Sequence, residues 1–412
     1  MSDLTTDLVI VGGGPAGMMA GLLFARAGVE TVVLEKHADF LRDFRGDTIH
    51  PSTLQLFHEL GLLDALLARD HVKVPELHGR VAGRDLPVAD FSHLPVAAPY
   101  IALMPQWDFL DFVADVAGRY PGFTLRRCAE ASEVIEENGR VAGVRTADGS
   151  VVRARRLVIA ADGRHSTLRS GAGLPIETIG APMDVFWFRL PKKAEPKNET
   201  VGVFEPGRIF VLIDRRDYWQ CAYVFPKGGA EAIRAQGLDA FRARVAAIGP
   251  ETAAGVDALT GWDDVKLLTV TVDRLTRWHK PGLIFIGDAA HAMSPVGGVG
   301  INLAIQDAVA AANLLAAPLA AGKPVDPLLG GVQARRMLPT RLTQGLQKLV
   351  QDRVIAPLLG REARLDRPPL ALRLLAASPL LRRLPARAVG LGFRPEHVRS
   401  PEASPSRREG SA

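Results

Sequence analysis

The residues Gly12-Gly13-Gly14-Pro15-Ala16-Gly17 spell G-x-G-x-x-G between an apolar run, Leu8–Val11, and a stretch with helical spacing, Pro15–Ala27. That arrangement suits phosphate binding. Gly12 permits a tight turn, Gly14 lets the backbone approach a pyrophosphate, Gly17 lets the helix pack closely, and the helix N-terminus attracts negative charge. Glu35 follows the β-branched run Thr31–Leu34, eighteen residues after Gly17. A carboxylate so placed can accept from ribose hydroxyls and disfavours a 2′-phosphate, which points to FAD or NAD rather than NADP. The loop itself does not choose between those two.

Two later segments carry the same signature of a strand end followed by small and acidic residues. Leu157–Ala160 runs into Asp162-Gly163, and Leu283–Ile286 runs into Gly287-Asp288-Ala289-Ala290-His291. A Gly-rich loop then leads to a helix from about Gly300 to Ala316. Backbone N–H groups at Gly300, Ile301 and Asn302 would favour negative charge there. His291 could be a base, but a satisfied structural histidine fits its apolar surroundings better. His50 reads as a residue lining a ligand or as a cap before Pro51. Trp187, Trp219 and Tyr223 could stack on a ligand or fill a core.

These residues need a scaffold. The first forty residues read as a βαβ unit, followed by helices over Ser52–Leu67, with Ser52 as N-cap, and near Trp107–Gly118. A three-stranded meander follows, turning at Asn138-Gly139 and Asp148-Gly149, both suited to two-residue hairpins. From about Pro175 to Trp262, alternating runs such as DVFWFRL, RIFVLID and WQCAYVF predict antiparallel strands. Val74–Ala98 has the same texture. Beyond Pro339 the Leu/Ala/Arg-rich chain with frequent Pro predicts short helices.

Composition narrows the function. The chain has 412 residues, 47% hydrophobic and 23% charged, enough for two or three domains. Its two cysteines, Cys128 and Cys221, exclude a disulfide framework and a Cys-rich zinc site, and no acidic or histidine cluster has metal-ligand spacing. The net charge of +5 resides in the tail: eleven Arg against five acids from Arg361 onward give +6, leaving about −1 for the rest. With no basic binding motif, nucleic acid is not an expected partner. There is no signal-peptide pattern and no run of eighteen apolar residues, so the expectation is a cytoplasmic protein with no transmembrane segment.

With all three motifs in order, the chain resembles the class A flavoprotein monooxygenases, the para-hydroxybenzoate hydroxylase-like, single-component FAD enzymes. The resemblance spans roughly residues 4 to 320. It implies an α/β fold: an FAD-binding Rossmann-like domain of the glutathione-reductase type (residues 1–73, 99–175 and 262–345). Into it is inserted an antiparallel-sheet substrate domain (74–98 and 176–261). A C-terminal helical segment (346–400) and a disordered tail (401–412) follow. It implies non-covalent FAD held by Gly12, Gly14, Pro15, Ala16, Gly17, Glu35, Lys36, Arg45, Gln106, Val134, Asp162, Asp288, Pro295, Gly298, Gly300, Ile301 and Asn302. Arg45, His50, Pro295 and Tyr223 are the candidates lining the reaction site, none with an assigned catalytic role.

The implied reaction hydroxylates an aromatic or polycyclic organic substrate with O2 through a flavin C4a-hydroperoxide. NAD(P)H is a transient co-substrate, since no second G-x-G-x-x-G occurs. The resemblance leaves monomer or homodimer open. The tyrosine network of para-hydroxybenzoate hydroxylase has no evident counterpart among Tyr100, Tyr120, Tyr218 and Tyr223. The W-x-W-x-I-P motif of flavin-dependent halogenases is absent. A dehydrogenase or reductase of the same fold, a flavin redox sensor, or a membrane-surface protein using the Arg/Leu-rich tail remain as rivals.

Overall fold

The computed structural model describes residues 3–41, 48–192, 200–360 and 367–403. Five strands run parallel in the spatial order Leu283–Phe285, Val151–Ala160, Leu4–Val11, Thr31–Leu34, Phe123–Arg126. The segments Leu8–Val11, Thr31–Leu34, Leu157–Ala160 and Leu283–Phe285 are buried on both faces, as parallel sheets require. Leu8 and Ile10 pack into one cluster with residues of the helices Pro15–Arg26 and Gly300–Ala320. Val9 and Val11 point the other way, into a cluster with Val141, Val144 and Val152 of the meander.

Val151–Ala160 serves both structures. Its start pairs antiparallel with Arg140–Thr146, and its length runs parallel to Leu4–Val11. The expected strand Leu157–Ala160 is therefore the second half of a longer one.

Seven further strands form a second sheet in the order Lys266–Leu268, Met183–Pro191, Tyr218–Pro226, Arg208–Asp214, Val201–Glu205, Glu76–Val81, Arg84–Asp90. All neighbours are antiparallel except Val201–Glu205 and Glu76–Val81, which pair in parallel and join two pieces distant in sequence. Along Met183–Pro191, Phe186, Phe188 and Leu190 face a cluster that includes Phe241 and Val245 of the helix Leu238–Ile248. Val185 and Trp187 face the opposite way.

Several local expectations change. The helix expected over Ser52–Leu67 is two, Pro51–Glu59 and Leu63–Leu67, separated where Gly61 adopts φ +70°. His50, not Ser52, occupies the N-cap, with Pro51 in the first turn where its missing N–H costs nothing. At Asn138-Gly139 both φ angles are positive, as a two-residue hairpin needs. Near Asp148-Gly149 only Gly149 is left-handed, and Thr146 N–H reaches Ser150 O, so three residues make that loop.

Pro339 lies inside a 22-residue helix, Leu329–Val350, instead of ending one. The segment Val296–Ala320 is long and apolar enough to cross a membrane, although no such span was expected. Most of it is buried, and the Gly300–Ala320 helix packs on Pro15–Arg26. The tail expected to be disordered from 401 begins ordered: Arg26 binds Ser400 O and Glu402, and Ala403 N–H reaches Arg26 O. Residues 404–412 lie outside the described residues.

Candidate cofactor and substrate site

All the sequence motifs emerge at the C-terminal ends of parallel strands: Gly12 after Val11, Glu35 after Leu34, Asp162 after Ala160 and Gly287 shortly after Phe285. Open α/β sheets bind ligands at that edge. The first loop is built by close approach. Gly12 has φ +107°, and a Cβ there would lie 2.3 Å from Ala161 O. A Cβ on Gly17 would lie 1.9 Å from Gly12 O, so strand and helix meet as backbone against backbone. Above Gly14 nothing stands within 4 Å of a would-be Cβ. Pro15 opens the helix, and Ala16 approaches the third motif: a Cβ on Gly287 would meet those of Ala16 at 3.1 Å and Ala304 at 3.0 Å.

Glu35 is buried at the rim of this loop. Its Oε2 accepts from Gly13 N–H at 3.0 Å and its Oε1 from His37 N–H at 2.9 Å. Lys36 beside it is exposed. Gln106 is half-buried in the first turn of the helix Gln106–Ala117, after Pro105. Val134 sits mid-strand in the meander, half-buried against apolar neighbours. Arg45 lies outside the described residues.

Asp162 accepts from Leu168 N–H at 3.3 Å through Oδ2, while Oδ1 is buried with no partner. Burial pushes its carboxyl above the usual range. A buried polar atom normally has a partner, and this one stands between the first and third motifs. Asp288 is half-buried and pairs with Arg164 at 3.3 Å, a contact the sequence reading missed although Arg164 follows Asp162 by two residues.

The Pro295–Val299 turn is held from beneath. Gly297 and Gly298 have φ +78° and +63°, and a Cβ on Gly298 would lie 2.6 Å from Thr48 Oγ1, which donates to Gly298 O. Asn302 spends its side chain as a brace: Oδ1 accepts from His50 N–H and Thr53 Oγ1, and Nδ2 donates to Thr48 O and Gly298 O. Any role for Asn302, Gly300 or Ile301 toward an anion therefore belongs to the backbone N–H groups of the helix start. A loop with two left-handed glycines ahead of a 21-residue helix is a cradle for negative charge.

Two histidines make buried hydrogen bonds within the fold, each leaving one ring nitrogen without a partner among the described residues. His291 Nε2 lies 2.5 Å from Asp307 Oδ2, and the other Asp307 oxygen accepts from the buried Arg336. Burial opposes the Asp307 charge, but His291 and Arg336 outweigh it and hold that carboxyl below its ordinary value. Asp307 also accepts from Gly287 N–H, so this network fixes the Gly-Asp turn. No spacing in the sequence signals it. His50 is buried, its Nδ1 bonded to Val389 O, and burial lowers its pKa to about 4.

Tyr223 does not line the site. Its ring packs against Phe210, Phe225 and Phe241 on the outer side of the second sheet, beneath the Leu238–Ile248 helix. Trp219 shares that cluster. Trp187 is on the opposite side. It packs with Val211 against the cluster that takes in Val296 of the glycine turn, and against the one that takes in Val389. The inner sheet face thus stands over the turn that precedes the Gly300 helix.

A model of the FAD binding domain family matches residues 5–344. Over 404 residues the chain is 34% identical to 6-methylpretetramide 4-monooxygenase of Streptomyces rimosus, covering 96% of this chain and 94% of that protein. It is 30% identical over 321 residues to dialkyldecalin synthase of Streptomyces rugosporus, covering 75% of this chain and 64% of that one. Among solved structures, the anhydrotetracycline hydroxylase OxyS of Streptomyces rimosus superposes with a TM-score of 0.71 at 23% identity, over 94% of this chain and 76% of OxyS, a likeness of fold.

Proposed function

The chain belongs to the FAD binding domain family as an FAD-dependent monooxygenase, and from that premise we propose that it hydroxylates a polycyclic aromatic substrate at the cleft beneath the inner sheet face. One observation carries this reading. The phosphate loop, Asp162, Asp288 and the glycine turn meet along one edge of the parallel sheet, and the turn's Val296 packs against the same apolar cluster as Trp187 of the second sheet. The names of the relatives, a pretetramide monooxygenase and an anhydrotetracycline hydroxylase, favour fused rings over a single phenol.

The residues fit FAD. Open space above Gly14 suits the diphosphate, Glu35 suits the adenosine ribose, and the unpartnered Oδ1 of Asp162 and the carboxylate of Asp288 suit hydroxyl donors of a ribityl chain. Lys36, Gln106 and Val134 complete the proposed contacts, and Arg45 joins them on the family resemblance. When bound, FAD reduced by NAD(P)H supplies the activation of O2.

The chain's own groups supply the rest. Helix-start N–H groups at Gly300–Asn302 favour negative charge beside the ring. Apolar side chains of the sheet exclude water. His50, neutral at pH 7, braces the turn from below. Dependence on NAD(P)H favours the cytoplasm as the place of work.

The test uses purified protein, NADH or NADPH, and fused-ring phenols under ¹⁸O2. Substrate-dependent NAD(P)H oxidation with one labelled oxygen in the product is expected. The synthase relative makes the label essential: an isomerised product without added oxygen would reject the monooxygenase reading.

A further inference from the structure

The helix Leu329–Val350 buries one face against the cofactor domain and leaves another unpartnered among the described residues. Leu338, Leu342, Leu346 and Leu349 are exposed by 52%, 43%, 37% and 51%. Val354 continues the stripe below them, and Leu314 flanks its upper end, 3.7 Å from a would-be Cβ on Gly331. Together they present apolar surface on the order of 500 Å², the size of patch that marks an interaction site. Ala334, Leu338, Leu342, Gly345, Leu349 and Asp352 follow one another at steps of three and four, the spacing of a helix–helix seam.

We propose that a second copy of this chain covers this face, the two Leu329–Val350 helices crossing antiparallel about a twofold axis level with Thr343 and Gln344. The stripe matches itself in that register. Leu338 falls opposite Leu349 of the second copy. Leu342 falls opposite Gly345, where nothing lies within 4 Å of a would-be Cβ, so a large side chain meets a notch. Arg335, paired with Glu396 in its own chain, falls opposite Asp352, paired with Lys348, so each end of the seam brings both signs of charge together. A twofold interface must be self-complementary in this way. Interfaces are about 56–58% apolar when non-obligate and about 65% apolar in homodimers, so this patch with its polar rim approaches the roughly 800 Å² per partner of a standard interface.

The test uses the full-length FAD-loaded protein. Analytical ultracentrifugation at tens of micromolar should give twice the 44.3 kDa chain mass. Leu342→Glu, at an exposed position, should give a monomer that keeps its flavin and its absorption spectrum. In a Cys128→Ser background, which removes the exposed native thiol, Leu338→Cys with Leu349→Cys should oxidise to a covalent dimer, whereas Leu338→Cys alone should not. Eleven residues separate the pair, about 16 Å along one helix, so the bond forms only between copies.

A wild-type monomer at 100 μM would overturn the proposal. So would a dimer that survives Leu342→Glu together with Leu338→Glu. Cross-linking through Leu338→Cys alone, the mark of a parallel pair, would also overturn it. Sedimentation of the wild type with phosphatidylglycerol vesicles, lost in Leu342→Glu, would assign the face to lipid instead.

Discussion

The two sheets of this molecule present their chemistry in opposite ways. In the parallel sheet the motif residues Gly12–Gly17, Glu35, Asp162 and Asp288 lie within a few residues of a strand's C-terminal end, in turns where contact or φ requires Gly12, Gly17 and Gly287. In the second sheet the groups that matter lie mid-strand, and both faces are apolar because both are covered. A turn is specified by residue type, whereas a face is specified only by which neighbour arrives to cover it. A one-residue shift in assigning faces exchanges Trp187 for Phe186 or Phe188. The first region is therefore rigid about residue identity at its turns, and the second is rigid about volume.

Substitutions can break that contrast. The largest effect is expected at the phosphate turn. Gly17→Val should yield no flavin-loaded protein, because its Cβ would stand 1.9 Å from Gly12 O with only backbone to move. The flavin-to-protein absorbance ratio of the purified variant checks this, and a stoichiometric ratio would contradict it. In the second sheet, Tyr223→Ala should cost about 3–5 kcal/mol, as for other large-to-small core changes, read from urea unfolding. Tyr223→Phe should leave kcat/KM within about twofold, since the hydroxyl faces away from the site. Trp187→Ala should reverse the pattern, lowering kcat/KM while FAD is retained. If Tyr223→Phe instead impaired turnover at normal stability, the assignment of the two faces would be wrong.

The same contrast explains what was legible in the sequence. The G-x-G-x-x-G loop and Glu35 are legible because spacing and close backbone contact mark them at strand ends, whereas Asp162 and Asp288 are reached through the family resemblance. Tyr223 was misplaced because alternation fixes two faces but not which one meets the cofactor domain. Asp307, Arg336 and Glu396 form a buried network across 90 residues of chain with no local pattern. The parallel pairing of Val201–Glu205 with Glu76–Val81 is equally silent, since it joins segments over a hundred residues apart.

A milder test weighs one hydrogen-bonding carboxylate against that rigid backbone. Asp288→Ala should lower FAD affinity roughly ten- to hundredfold, because hydrogen bonds to charged groups contribute about 1.5–3 kcal/mol. The fold should persist, since the turn is held independently by Asp307. Titration of apoprotein with FAD checks this. An unchanged dissociation constant would move the ribityl chain elsewhere.

An effect that vanishes at neutral pH sits at the seam between the cofactor turn and the C-terminal helix Pro379–Gly390, where His50 bonds Asn302 through its N–H and Val389 O through Nδ1. Its pKa is about 4 in the fold, against an ordinary 6.5. The unfolded chain therefore binds the proton first as pH falls. Stability from neutral His50 is complete above pH 6.5 and is lost progressively between 6.5 and 4. At about 1.4 kcal/mol per unit, the loss should be about 2 kcal/mol by pH 5 and about 3 kcal/mol by pH 4. His50→Asn keeps an amide donor near the position of Nδ1 but cannot titrate. All other titrating groups are common to both proteins, so the difference between the two pH profiles isolates His50. Urea midpoints at pH 7 and pH 5 should fall further for the wild type than for His50→Asn. Parallel profiles would mean that the ring is hydrated in solution, and that the seam is looser than its buried hydrogen bonds require.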